Sequence, residues 1–203
     1  MKLWNVLLVS GSMAVAGAAT FAQTAPPPPP PKDQAPAAKS SPSAGARATA
    51  HADIKGEGIT GTADFAERAQ GTGSLVEITV SVTGLKAGLH GVHLHAVGKC
   101  ETGPPNFVSA GGHFDPGPAG NMDPDANHPF HMGDVPNLEV GKDGKGTLKA
   151  VTTRITLSDG PLSIFDADGT AVIIHGNEDK GTTGEPKSGV SGGPRVACGV
   201  FAK

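Results

Sequence analysis

The chain has 203 residues, a formal net charge of −3 at pH 7, 17% charged residues and 4% aromatic residues with no tyrosine. This balance excludes the basic footprint of a nucleic-acid binder, and the scarcity of aromatics leaves no visible interface patch. Thirty glycines, with few long helical patterns, direct the reading to an all-β domain.

Residues 1–22 read as a secretory signal peptide. Lys2 supplies the positive start, an apolar run extends from Leu3 to Ala19, and Thr20-Phe21-Ala22 offers the small residues of a cleavage site. The competing reading is a membrane anchor, for which the run is marginal against the roughly 20 apolar residues a span needs. Cysteine is absent near the cleavage site, which argues against a lipoprotein anchor, so the mature form is expected to lack an integral span. Residues 23–48 are rich in Pro and Ala, with six consecutive prolines from Pro26 to Pro31. Proline fixes φ and removes backbone donors, so a disordered, semi-extended linker is expected there. Residues 49–203 remain for one domain, long enough to bury a single core.

Within that domain, Ala48 to Ile54 and Ile59 to Phe65 are the first two predicted strands, joined through Gly56-Glu57-Gly58. Leu75 to Val82 alternates with period two and sets Val76, Ile78, Val80 and Val82 on one face. Gly84 to Gly88 reads as a turn and Gly91 to Ala96 as a fourth strand. Leu138–Val140, Gly146–Thr153, Thr170–His175 and Arg195–Phe201 complete about eight strands, with Lys142-Asp143-Gly144 as a hairpin turn. This pattern predicts an antiparallel Greek-key β-sandwich or barrel. Two long stretches break the rhythm, 97–136 and 176–194, and hold most of the polar chemistry. Loops of that length in a compact domain are usually functional or disordered, and the polar content favours functional ones.

Cys100 and Cys198 are the two cysteines. An export signal with an even count favours a disulfide, which would close a loop worth roughly 4–5 kcal/mol in the chain-entropy model. The alternative is two buried free thiols. The eight histidines are His51, His90, His93, His95, His113, His128, His131 and His175. His93 and His95 are two apart in a predicted strand and so point to one face, with Val92 and Leu94 toward the core. His175 ends an apolar strand beside a long loop. His131-Met132-Gly133-Asp134 pairs nitrogen with oxygen. Imidazoles suit copper and zinc, and mixed His and Asp ligands suit zinc.

Four segments, taken together, resemble the copper,zinc superoxide dismutase family. They are Gly88-Leu89-His90-Gly91-Val92-His93-Leu94-His95, Gly111-Gly112-His113-Phe114-Asp115-Pro116, His131-Met132-Gly133-Asp134 and Gly193-Pro194-Arg195-Val196-Ala197-Cys198-Gly199-Val200. Their order and spacing match the family across nearly all of 49–203, and the family's fold is a β-sandwich.

The resemblance implies that His93, His95, His113 and His175 bind copper. His113 would bridge to zinc, which His131 and Asp134 also bind. Asp179 resembles the carboxylate that links the two metal sites through their histidines. Cys100 and Cys198 form the family's disulfide, and Arg195 attracts the anionic substrate. Lys180 and Lys187 would add to its field, with Glu178, Asp179 and Glu185 opposing. His90 is expected to be a hydrogen-bonded core residue. The family usually places a further zinc histidine nine residues before the position of His131. Met122 stands there, and His128 is the nearby imidazole expected to replace it; the alternative is a solvent-exposed His128 and a weak or empty zinc site.

The activity implied is dismutation of superoxide to dioxygen and hydrogen peroxide by copper redox cycling, with His113 carrying the proton and zinc supporting it. Competing readings are a copper-only dismutase with a decayed zinc half and a non-catalytic copper-binding module. A monomer or homodimer is expected. So is an exported location: the periplasm first, the cell surface or secretion as alternatives.

Overall fold

The structure, a computed structural model, describes residues 45–117 and 120–203. The signal-peptide reading and residues 23–44 of the linker reading lie outside these residues. Ordered pairing begins slightly before the expected domain start: Arg47 N–H donates to Glu67 O at 2.8 Å and the first strand opens at Ala48.

Nine strands are present among the described residues: β1 (Ala48–Gly56), β2 (Ile59–Gln70), β3 (Gly73–Thr83), β4 (Gly88–His90), β5 (Val92–His95), β6 (Leu138–Val140), β7 (Lys145–Thr152), β8 (Ala171–His175) and β9 (Arg195–Val200). They form one antiparallel sheet in the order β4-β6-β7-β3-β2-β1-β9-β8-β5. The terminal strands β4 and β5 follow one another in the chain through Gly91, so the sheet curls into a nearly closed barrel. β4 is the strand that sequence periodicity does not predict. It has three residues, too few to alternate, and it pairs with β6 across Leu89↔Glu139. The predicted turn therefore ends before Gly88, and Gly91 is a link between strands rather than a strand residue.

The registers follow from the apolar pattern. Phe65 lies opposite Ala50 and Ile78, and Val80 lies opposite Leu148. Val76, Ile78, Val80 and Val82 are all buried in one core with Ala52, Ile54, Val92, Leu94, Leu138, Val172 and Ile174. β8 is apolar on both faces because both are covered. Ala171 and Ile173 face a second cluster with Phe107, Ala110 and Cys198. That cluster lies under the first long loop, tethered to β9 by the Cys100–Cys198 disulfide with Cα atoms 5.7 Å apart. Lys142-Asp143-Gly144 makes the β6–β7 turn, where Gly144 takes φ 75°, a left-handed conformation that glycine adopts without steric cost.

The outer edge of β5 is not bare. Leu94 N–H donates to Gly133 O at 2.9 Å and Phe114 N–H to Leu94 O at 2.8 Å. Isolated bridges join His93 to Asp134 and His95 to His113. The first long loop therefore continues the sheet at its open edge, carrying its own histidines and aspartate to the histidines of β5.

A buried carboxylate anchors the β7–β8 connection. Glu67 accepts hydrogen bonds from Leu157 N–H and Ser158 N–H, both at 2.7 Å, and from Ser74 Oγ. Burial alone would raise its pKa, but these donors hold it below its ordinary value near 4.5. The stabilisation is therefore complete above pH 4.5 and is lost as pH falls through the lowered folded value. Glu67→Gln is expected to cost about 2 kcal/mol at pH 7. The gap to the parent should shrink below about pH 4.5, as read by urea unfolding at both pH values.

Candidate metal centre

His93 and His95 leave β5 on the face opposite Val92 and Leu94, as period two requires. All four side chains are buried, the histidines beneath the two long loops. Partners outside the cluster fix each ring. His95 Nδ1 donates to Gly111 O at 3.0 Å, His175 Nδ1 to Gly193 O at 3.0 Å, and His93 Nε2 to Asp179 Oδ2 at 2.9 Å. A neutral imidazole that donates from one nitrogen presents a lone pair on the other. The lone pairs therefore fall on His93 Nδ1, His95 Nε2 and His175 Nε2.

Those three atoms and His113 Nε2 are buried and have no hydrogen-bond partner. A buried polar atom in this state carries the full cost of desolvation. Ligand atoms of His93, His95, His113 and His175 lie within 4.8 Å of one another. A four-nitrogen donor set fits copper by its chemistry.

A second set adjoins it. His128 Nε2 donates to Asp179 Oδ1 at 2.6 Å, and His131 Nε2 donates to Asp123 O at 3.0 Å. Their Nδ1 atoms face Asp134, at 3.2 Å and 2.9 Å from Oδ2. His113 Nδ1 stands 2.8 Å from Asp134 Oδ1 and 3.2 Å from His131 Nδ1. Three imidazole nitrogens and one carboxylate fit a tetrahedral zinc site. His113 is the one ring with a nitrogen in each set, and no backbone carbonyl claims either of them among the described residues. His93 also lies within 4.8 Å of ligand atoms in the second set, but Asp179 occupies its Nε2 and its free Nδ1 belongs with the first.

The electrostatics favour neutral rings in the first set and an ionised histidine–carboxylate network in the second, where zinc would have to displace the His128 proton. Burial, reinforced by the neighbouring histidines and Arg195, pushes His95 and His175 well below their ordinary range. Burial and His93 lower His113 to about 3. These rings are neutral and available as ligands. Burial opposes charge on His128, but hydrogen bonding with Asp134 and Asp179 outweighs it and raises the ring to about 9. Burial would raise Asp134 and Asp179, yet their histidine partners hold both carboxyls well below the usual carboxylate range.

The structure thus brings together His93, His95, His113, His128, His131, His175, Asp134 and Asp179. Met122 is half exposed and contributes its backbone: its carbonyl accepts His113 N–H at 3.0 Å. His90 stands apart from both sets, its Nδ1 2.8 Å from His175 O and its Nε2 2.9 Å from Lys86 O. Arg195 is held by Phe107 O at 2.7 Å and Gly111 O at 2.6 Å, and it lines a cavity with His175 and Lys187. Lys180 pairs instead with Glu178 on the exposed surface.

Sequence reasoning missed Asn137. Its side-chain amide donates to Asp179 O at 2.8 Å and its oxygen accepts Asp179 N–H at 2.9 Å, which fixes the carboxylate that in turn fixes two rings. It missed as well the Gly111 and Gly193 carbonyls that set two tautomers, because a backbone oxygen leaves no mark in residue type.

A family model described as copper/zinc superoxide dismutase matches residues 59–201. The chain is 42% identical over 151 residues to a copper-zinc superoxide dismutase of Deinococcus radiodurans, covering 70% of this chain and 77% of that one. It is 41% identical over 149 residues to a copper-zinc superoxide dismutase of Brassica juncea, covering 71% and 90%. Among solved structures, a superoxide-dismutase-like protein from Bacillus subtilis aligns with a TM-score of 0.57 at 32% identity, covering 74% of this chain and 96% of that one.

Asp179 touches both sets from outside, so Asp179→Ala should release both outer nitrogens at once. A zinc affinity about 10–100-fold lower is expected, measured by chelator competition.

Proposed function

Because the chain belongs to the copper/zinc superoxide dismutase family, and so converts superoxide to dioxygen and hydrogen peroxide, we propose that His93, His95, His113 and His175 hold its copper. In the same reading His113, His128, His131 and Asp134 hold its zinc. The observation that carries this assignment is the convergence of four buried, unpartnered imidazole nitrogens, with His113 placed in both donor sets. Bound copper supplies one-electron chemistry in both directions, and zinc supplies charge without redox change.

The chain's own residues do the rest. Arg195 stays cationic although burial lowers its pKa somewhat. Two of its five N–H donors are taken by the Phe107 and Gly111 carbonyls, which lock the guanidinium plane. The remaining donors serve a small anion entering the cavity beside His175. A fixed cation in a walled cavity raises the encounter rate for anions. His113 Nε2, which faces the first donor set, would take one proton from solvent and deliver it to the reduced oxygen species, and a second proton from water in the cavity would complete hydrogen peroxide. His113 Nδ1, on the Asp134 side, keeps the ring in place while this happens. Asp179, itself held by Asn137 through its backbone, holds the outer nitrogens of His93 and His128, so the ring planes need not reorganise during turnover.

The zinc half supports this reading over a copper-only site. His128 reaches Asp134 and Asp179 together, which restores the donor that Met122 cannot supply. The disulfide supports an oxidising compartment, and no helix among the described residues is long and apolar enough to cross a membrane. On the disulfide we propose an exported location, the periplasm first.

His128→Ala should remove zinc while copper binding persists, as read by metal analysis of the purified chain. Unchanged zinc content would overturn the role of His128. Arg195→Ala should lower kcat/KM roughly tenfold and flatten its dependence on ionic strength. An unchanged rate at low salt would remove Arg195 from anion guidance.

A further inference from the structure

Asp125 lies in the first long loop, three residues before His128, and belongs to neither donor set. It is buried, and its carboxylate is taken up by the second long loop. Oδ2 accepts Gly189 N–H at 2.9 Å, and Oδ1 accepts Ser191 N–H at 3.1 Å and Ser191 Oγ at 2.8 Å. Its backbone carbonyl accepts Gly184 N–H at 2.9 Å. Hydrogen bonds to an ionised carboxylate are roughly twice as strong as neutral ones. Burial works against that ionisation, but the Gly189 and Ser191 donors keep the carboxyl below its ordinary range.

The strip that Asp125 grips leads to both halves of the site. Ser191 forms an isolated antiparallel bridge with Asp179, and Lys180 N–H donates to Val190 O at 2.8 Å. Two residues after Ser191, Gly193 O accepts from His175 Nδ1. Gly192 has φ 105°, and a Cβ there would stand 2.7 Å from His175 Cβ, so the strip lies directly against that ring. Gly189, Ser191 and Gly193 also wall the cavity of about 870 Å³ that Arg195 and Lys187 line.

We propose that Asp125 is a positioning residue that fixes the strip 189–193 from the zinc side, and through it both the aim of His175 and the wall of the anion's approach. The proposal rests on His175 being a copper ligand. It adds a carboxylate link between the two metal halves that acts through backbone, beside the link that Asp179 makes through imidazoles. Loss of the carboxylate leaves two backbone N–H groups and a hydroxyl without their acceptor, all on the strip that carries Gly193 O.

The test compares Asp125→Ala, Asp125→Asn and Ser191→Ala with the parent in the full chain. In metal-free protein, amide exchange at Gly189 and Ser191 should accelerate at least about tenfold in Asp125→Ala, the loss expected for a charge-assisted hydrogen bond. In protein loaded with copper and zinc, the copper electron paramagnetic resonance parameters should shift. Azide, used as the anion probe, should bind at least about tenfold more weakly. Asp125→Asn should be intermediate, because its oxygen still accepts from Ser191 while its amino group opposes Gly189 N–H. Ser191→Ala, which loses one hydroxyl bond, should move least.

Unchanged exchange at Gly189 and Ser191 overturns the proposal. So does faster exchange with the copper signature and azide affinity of the parent, since that result describes a purely structural residue. If the parent itself lacks a four-nitrogen copper signature, the ligand assignment fails and the copper arm of the proposal falls with it. The exchange arm then decides separately whether Asp125 fixes the strip. Should Asp125→Ala not fold, the other two variants carry the same comparisons.

Discussion

One carboxylate, Asp179, reaches the outer nitrogens of His93 and His128 from opposite oxygens, at 2.9 and 2.6 Å. Neither ring can flip or change tautomer without breaking a buried, charge-assisted bond. Each ring therefore turns its Nδ1 inward, one toward the first donor set and one toward Asp134. The geometry of both halves depends on this contact, because His113 sits between them and has no backbone carbonyl of its own among the described residues. Asn137 then holds Asp179 by its backbone on both sides.

The long loops pose a different problem. They bury few large apolar groups, so hydrophobic burial does little to offset the entropy of ordering them. Discrete tethers take its place. The disulfide fixes the start of the first loop to β9. Arg195 draws Phe107 and Gly111 toward the same strand. Thr183 Oγ donates to His128 O at 2.6 Å, and Asp125 clasps Gly189 and Ser191. Each tether joins residues more than 50 positions apart in the chain.

This distance explains what could and could not be read from the sequence. Period-two alternation in Leu75–Val82 announces its buried face because each residue type reports its own environment. His93 and His95 are legible for the same reason: two positions apart in a strand is one face. The resemblance to the family's motifs singles out His113, His131 and Asp134 as expected ligands, and the departure at Met122 draws attention to His128, which the structure brings beside Asp134. Glu67, Asp125 and Asn137 were not legible. Most of their partners are backbone N–H and C=O groups on distant segments, and an isolated Asp or Asn in a loop reads as a turn residue. β4 escaped because three residues cannot establish a period.

The bridges from β5 to the first loop carry a further consequence. A strand at the end of a sheet presents unpaired amides and carbonyls that another chain can adopt. Here Phe114 and Gly133 pair with Leu94, and the ligand-bearing segments themselves occupy that position. Withdrawing those segments would uncover a template for chain-to-chain pairing at the same moment as it dispersed the ligands. On the proposed assignment, the cover of that edge and the gathering of the ligands would thus rest on one set of hydrogen bonds.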